Sequence, residues 1–246
     1  MVEDGYTDYE IQKVYPGLYA GNHKGIQKMR DNKNDHDNGI KLMEYYCDVD
    51  LREWQIIALS LLENQDDRGV LWFVDYLGGS GKTWFAKYLS AIHNAFYCTG
   101  GKASDIAHAF KLEPMVVFDF TRSNKEFVNY SVIESFKNGM FFSPKYNSIT
   151  KKFAPCKVIC FSNWDPDKNK LSMDRWCINY LFKNNDEWKL RADDGADLYQ
   201  QLTVDGFLFH DDDELTPPPR PLLQRSNAMI ISPTNTIEGD EKEDHQ

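Results

Sequence analysis

Apolar residues at Leu51, Trp54, Ile57, Ala58, Leu61 and Leu62 recur at the spacing of one helix face, so residues 51–63 are expected to be helical. Val70-Leu71-Trp72-Phe73-Val74-Asp75 breaks that period: it is a short apolar run bounded by turn signals, the pattern of a buried strand. A glycine-rich stretch follows from Tyr76 to Gly81, and then Phe85, Tyr88, Leu89 and Ile92 fall on one face of a helix expected over Trp84 to Ile92. Two further apolar runs, Met115 to Phe120 and Lys157 to Asn163, read as buried strands. Between them Ser123-Asn124-Lys125-Glu126 fits a capping box, opening a helix with Phe127, Tyr130, Ile133 and Phe136 turned inward and closed by Asn138-Gly139. Residues 141–153 read as a hairpin or loop. Apolar strands alternating with amphipathic stretches predict an α/β fold with a parallel central sheet flanked by helices.

That alternation occupies residues 51–210. Before it, residues 1–50 are polar and punctuated, and predict a small helical N-terminal region with a linker near 31–38, where the chain is almost pure Asp, Asn and Lys. After it, residues 211–246 contain Pro217-Pro218-Pro219-Arg220-Pro221 and nine acids against three bases, and are expected to be an extended, disordered acidic tail. Composition narrows the class. With 246 residues, 41% hydrophobic and 14% aromatic, wholesale disorder is excluded. No apolar run approaches the ~18 residues of a membrane span, so no membrane partner is expected. The acidic start Met1-Val2-Glu3-Asp4-Gly5 is not a secretory signal, and five cysteines, an odd number, suit reduced thiols. The expected location is therefore intracellular, in nucleus or cytoplasm. A net charge of −10 argues against a simple basic nucleic-acid coat. Residues 121–170 nevertheless carry nine bases against four acids, a basic island that marks either a polyanion contact or a solvated face.

The chemistry begins at Gly78-Gly79-Ser80-Gly81-Lys82-Thr83. A strand, a glycine-rich turn and Gly-Lys-Thr opening a helix form the arrangement that grips a triphosphate. The glycines let successive N–H groups face phosphate oxygens, and the helix N-terminus adds its positive end. Lys82 would reach the β and γ phosphates of a bound triphosphate, and the Thr83 hydroxyl would ligate Mg²⁺. The loop departs from the full pattern at Tyr76, which stands at the first glycine position. Asp119 ends the second strand, where a carboxylate can hold the Mg²⁺ shell or orient water. Asn163 ends the third, where an amide could touch the γ-phosphate or act as the first residue of an Asx turn. In the basic island, Lys145, Tyr146, Lys151 and Lys152 combine cations with a stacking ring, which suits sequence-tolerant binding of a single strand.

Taken in order, Gly79-Ser80-Gly81-Lys82-Thr83, Val116-Val117-Phe118-Asp119-Phe120-Thr121-Arg122, Phe142-Ser143-Pro144-Lys145-Tyr146, Ile159-Cys160-Phe161-Ser162-Asn163 and Leu171-Ser172-Met173-Asp174-Arg175-Trp176 resemble the superfamily 3 helicase domain of replication-associated (Rep) proteins from circular single-stranded DNA viruses and related plasmids. The resemblance covers roughly Leu51 to Leu181. Tyr15-Pro16-Gly17-Leu18-Tyr19 with His23-Lys24-Gly25-Ile26 is similar to the segment joining the two halves of those proteins. It implies a P-loop NTPase of the AAA+-like kind, assembling as a homo-oligomeric ring that hydrolyses ATP to move 3′ to 5′ along single-stranded DNA. By family role, Lys82 and Thr83 hold phosphate and Mg²⁺, and Asp119 is the Walker B acid. Asn163 is the sensor, Lys145 with Lys151 or Lys152 lies on a DNA-contacting hairpin, and Arg175 is an arginine finger reaching a neighbour's ATP.

Members of that family also carry a nicking domain with a His-x-His metal pair and a Tyr nucleophile followed three residues on by Lys. Here the histidines are His23, His36, His93, His108, His210 and His245, and no two form His-x-His. No endonuclease activity is expected of this chain. Its own residues leave open an RNA-directed superfamily 3 helicase, another P-loop NTPase or kinase, and a nucleotide-binding relic without turnover.

Overall fold

A computed structural model describes residues 2–143 and 149–193. Helix α1 (Asp8–Val14) opens with a capping box, in which the Thr7 side chain accepts from the Glu10 N–H and the Glu10 carboxylate accepts from the Thr7 N–H. Helix α2 (Pro16–Tyr46) has Pro at its first position and runs for 31 residues. The segment expected as a linker near 31–38 lies inside α2. Its polar side chains need only face water, and local contacts support them: Gln27 Nε2 donates to Asp31 at 2.9 Å, Arg30 pairs with Asp8 at 2.6 Å, and Lys33 Nζ donates to the Glu3 carbonyl at 3.0 Å.

The rest alternates as the apolar pattern predicts, with more elements than the sequence reading named. Helix α3 (Glu53–Glu63) precedes β1 (Val70–Val74), α4 (Lys82–Ile92), β2 (Ala95–Cys98), α5 (Ala103–Ala109) and β3 (Met115–Asp119). A 3₁₀ turn (Arg122–Phe127) leads to α6 (Tyr130–Lys137), the two-stranded hairpin β4 (Met140–Ser143) and β5 (Ile149–Lys152), then β6 (Lys157–Ser162), β7 (Trp176–Asn184) and β8 (Glu187–Ala192). The capping box expected at Ser123–Glu126 falls in the 3₁₀ turn. Helix α6 starts later, where the Asn129 side chain accepts from the Val132 N–H at 3.4 Å. Phe127, expected inward, is therefore 73% exposed.

The fold is α/β, with a mostly parallel sheet in the order β2-β3-β6-β1-β7-β8. Only β8 runs antiparallel, against β7. All five β1 residues are buried because both faces of the sheet are covered. Val70, Trp72 and Val74 join Phe118, Val158 and Cys160 on one face, with Phe110 and Phe136 over them. Leu71 and Phe73 join Val117, Ile159 and Phe161 on the other, under Trp54 of α3 and Phe85 of α4. Val2, Ile11 and Ile26 make a separate small cluster between α1 and α2. The expected acidic tail 211–246 and the last part of the 51–210 region lie outside the described residues.

Candidate functional site

The parallel register sets the site. Val74 of β1 pairs with Ser162 of β6, and Asp119 of β3 pairs with Phe161, so Asp75, Asp119 and Asn163 leave the sheet side by side at its C-terminal edge. In an open α/β sheet that edge is where ligands sit. The chain turns back from it through Gly78, Gly79 and Gly81, at φ of 82°, 89° and 95°. Those left-handed conformations suit glycine and strain other residues. Helix α4 then begins at Lys82. From below, Arg52 Nη1 at 2.7 Å and Trp54 Nε1 at 3.2 Å both donate to the Ser80 carbonyl. Tyr76, at the missing glycine position, turns its ring out of the loop to stack on Tyr180 with centroids 6.1 Å apart, and its hydroxyl donates to Asp165. Burial, and then the Asp165 carboxylate, push that hydroxyl up to about 12.

Inside the loop lies a residue that sequence reasoning did not single out. The fully buried Asp75 carboxylate accepts the Gly78 N–H at 2.7 Å, the Ser80 N–H at 3.3 Å, the Ser80 hydroxyl at 2.6 Å and the Lys82 ammonium at 2.9 Å. Burial alone would raise its pKa, but the bonds from Ser80, Lys82 and Gly78 outweigh that and hold the carboxyl below its ordinary value. Asn163 Nδ2 donates to the Asp75 backbone carbonyl, which ties the end of β6 to the start of the loop. Asp119 is buried, and its Oδ2 accepts the Tyr97 hydroxyl at 3.2 Å. Burial and the adjacent Asp119 charge push Tyr97 up to about 12. The Thr83 hydroxyl is carried by an exposed residue on the first turn of α4. Arg122, also not singled out, is exposed and reaches over the loop. Its Nη2 donates to the Leu77 carbonyl at 3.3 Å and lies 3.1 Å from where a Cβ on Gly78 would stand.

The hairpin sorts the basic residues by face. Met140 pairs with Lys152 and Phe142 with Thr150, and Met140 and Phe142 are exposed together with Lys152. Phe141, paired with Lys151, is buried on the other face. There Lys151 Nζ donates to the carbonyls of His108 and Phe110, so α5 holds it down. Lys145 and Tyr146 lie outside the described residues.

No family model matches the chain. It is 45% identical over 183 residues to the master replication protein of subterranean clover stunt virus, covering 70% of this chain and 64% of that protein. The master replication protein of faba bean necrotic yellows virus is 43% identical over 131 residues, covering 53% of this chain and 45% of the relative. Its relatives are viral replication proteins. Para-Rep C7 of the faba bean necrotic yellows C7 alphasatellite is 39% identical over 181 residues, covering 70% of this chain and 59% of its own length. The chain thus spans from under half to just under two thirds of the lengths of these relatives.

Two residues bear on that kinship from elsewhere in the fold. Arg175 stands just before β7, at the opposite end of the sheet from the loop, and is not brought to the site within this chain. It is 5% exposed. Its Nη2 donates to Asn138 Oδ1 at 3.1 Å and lies 3.4 Å from Glu134, while Nη1 is buried with no hydrogen-bond partner among the described residues. The Tyr-to-Lys spacing of three that marks a nicking nucleophile occurs once, at Tyr180 and Lys183 on β7. The Tyr180 hydroxyl there lies 2.9 Å from Asp165 and 3.2 Å from Asp193, and burial, followed by those two carboxylates, pushes its pKa up. That environment disfavours the phenolate a nucleophile needs.

Proposed function

We propose that this chain is an ATP-driven motor of viral-type DNA replication: a P-loop NTPase of the superfamily 3 helicase kind that hydrolyses ATP to move on single-stranded DNA, working inside a host cell as a homo-oligomeric ring. One observation carries the reading. A lysine that opens α4, a carboxylate that ends β3 and a carboxamide just after β6, Lys82, Asp119 and Asn163, stand at one sheet edge, beside a glycine loop whose backbone is already left-handed at three positions. The kinship with viral replication proteins supports the biological setting.

In this reading the N–H groups of Gly78, Gly79, Ser80 and Gly81 and the Lys82 ammonium bind the phosphates of ATP. The donor set fits an anion, since Lys82 and the Gly78 and Ser80 N–H groups already converge on one in Asp75. Thr83 and Asp119 would share Mg²⁺, which supplies charge neutralisation on the phosphates when bound. Both are oxygen donors, as that ion requires. Asp119 also orients water, and Asn163 senses whether the γ-phosphate is still attached. On the hairpin, Lys152 beside Phe142 and Met140 offers a cation next to apolar surface to a single strand, a role that the sequence also gives to Lys145 and Tyr146. Lys151 supports the hairpin from behind. Arg175, held by Asn138 and Glu134, has to leave both partners before it could serve a neighbour's ATP. The nicking step lies outside this reading, for want of a His-x-His pair.

The test is ATP turnover with and without single-stranded DNA, and with single-stranded RNA in parallel. DNA-stimulated turnover that disappears in Lys82→Ala is expected. Stimulation by RNA alone would redirect the motor to RNA. Turnover indifferent to nucleic acid would indicate a kinase-like enzyme, and binding without turnover a relic.

A further inference from the structure

Four donors of the phosphate loop are already engaged by an anion from the chain itself. The Gly78 N–H, the Ser80 N–H and hydroxyl and the Lys82 ammonium all point at the Asp75 carboxylate, at 2.7, 3.3, 2.6 and 2.9 Å. Backbone N–H groups in a glycine turn with a lysine are the equipment with which such a loop meets a phosphate. We propose that Asp75 is the affinity-setting residue of the loop: its carboxylate acts as an internal anion, and a polyphosphate binds by drawing Lys82 and the Gly78 and Ser80 donors away from it. The proposal deepens the nucleotide reading and rests on the loop being a phosphate site.

Three features make the carboxylate a competitor rather than a bystander. The first is burial: Asp75 and Ser80 have no exposed surface and Lys82 is 8% exposed, so the ammonium is turned inward rather than held out to solvent. The second is charge. Lys82 is ion-paired with Asp75 at 2.9 Å in a site that excludes water, where charge-assisted bonds are strong and a second anion nearby is opposed. The third is connection. The backbone carbonyl of Asp75 accepts from Asn163, so a movement of Asp75 reaches the amide at the end of β6. Asp75 is thus a positioning residue, acting on a bound phosphate through Lys82, Ser80 and Asn163. Its carboxylate keeps the empty loop closed and its buried lysine compensated, at the expense of affinity.

The experiment uses the full chain. Wild type, Asp75→Asn, Ser80→Ala and Lys82→Ala are titrated by calorimetry with inorganic tripolyphosphate and with a non-hydrolysable ATP analogue, both with Mg²⁺. Fold is checked by near-UV circular dichroism and a single unfolding transition. Asp75→Asn removes the charge while keeping the shape, and is expected to tighten both ligands by about tenfold, the equivalent of one charge-assisted bond. Ser80→Ala removes only the hydroxyl that grips Asp75, keeps the loop N–H, and is expected to tighten both by a few-fold; it decides the matter if Asp75→Asn does not fold. In turnover, the tightening should appear as a lower KM without a matching rise in kcat. If wild type binds in a Lys82-dependent way yet both variants bind equally or more weakly, Asp75 is a plain structural support and the proposal is overturned while the nucleotide reading stands. If wild type binds neither ligand and both variants also fail, the two readings fall together.

Discussion

Lys137 places an ammonium in the interior, where the basic island of the sequence would have it face solvent. It is 4% exposed, and its Nζ donates to the Asp66 carbonyl at 2.8 Å, the Cys156 carbonyl at 3.1 Å and Gln65 Oε1 at 3.3 Å. Burial outweighs the nearby Asp66 and Asp67 charges and pushes its pKa down to about 8 from the ordinary 10.5. At Lys137 the unfolded chain therefore holds a proton that the folded one lacks between those values, so this group's own contribution to stability rises as pH climbs from about 8 towards 10, by no more than about 1.4 kcal/mol per pH unit. The thiols Cys98, Cys156 and Cys160 act the other way in that same window, and Tyr76 and Tyr97 above pH 10, because burial raises them all and the unfolded chain loses those protons first. Urea unfolding from pH 7.5 to 10 checks this through the difference between wild type and Lys137→Met: the variant should be less stable at neutral pH and the gap should widen as pH rises, and a gap that stays constant with pH would refute it. The same residue shows why the charge count was a blunt instrument. Lys151 and Lys157, like Lys137, donate to backbone carbonyls, so counting lysines overstates the basic surface. Asp119 and Asn163 were legible because each ends an apolar run, and Lys82 because it follows a glycine-rich turn and opens a helix. Asp75 ends such a run too, but its role depends on the loop folding back over it, which no spacing in the sequence expresses.

Elements were legible where one apolar run is one strand, as in β1, β3 and β6, and less so where tertiary contacts decide. β7 and β8 went unnamed because they are amphipathic pieces of an edge, and α2 was broken in two because a run of Asp, Asn and Lys resembles a loop when nothing is known of what flanks it. The end of α6 was read correctly from Asn138-Gly139, and there the geometry is demanding. Gly139 has φ of 68°, its carbonyl accepts the Phe153 N–H at 3.0 Å, and an added Cβ would run into the Phe153 carbonyl oxygen. Both the left-handed backbone and the contact oppose a side chain, and the obstacle is backbone, which cannot swing aside. Gly139→Ala should therefore destabilise the protein by about 2 kcal/mol or more, against the ~1 kcal/mol of a strained left-handed alanine alone. A lower urea midpoint with an unchanged slope would show it, whereas a midpoint within ~0.3 kcal/mol of wild type would mean that β4 and β5 can shift freely. Under the proposed function, weaker binding of single-stranded DNA at constant ATP affinity should accompany the loss, since the hairpin carries Lys152 and Phe142.

At the scale of the whole molecule, stability is divided unevenly. The sheet is packed on both faces by two large clusters, while the α1–α2 pair is held by Val2, Ile11 and Ile26 with Tyr19 at their edge and by the Arg30–Asp8 ion pair. Three buried apolar side chains, at roughly 1.5–3 kcal/mol each, must order more than thirty residues whose other large apolar groups, among them Tyr9, Leu18, Met29 and Ile40, stay exposed. The far end of α2 is different: Tyr46 is buried against Trp84 and Tyr88 of α4, with ring centroids 5.2 and 6.2 Å away, so that end belongs to the sheet's cluster. Local opening draws on the least-packed part first. Native-state hydrogen exchange at low protein concentration should then show a gradient along one continuous helix. Amides of α1 and of the first two thirds of α2 should exchange at least ~100-fold faster than those of β1 and β6, and protection should return over the last turn before Tyr46. Uniform protection of α2 at the level of β1 would mean that the helical pair and the sheet unfold as one unit. A helix that opens while β1 and β6 stay protected can change its neighbours without disturbing the sheet edge that carries Lys82, Asp119 and Asn163, and the proposed ring motor needs that independence if its subunits are to assemble through one part and turn over ATP with another.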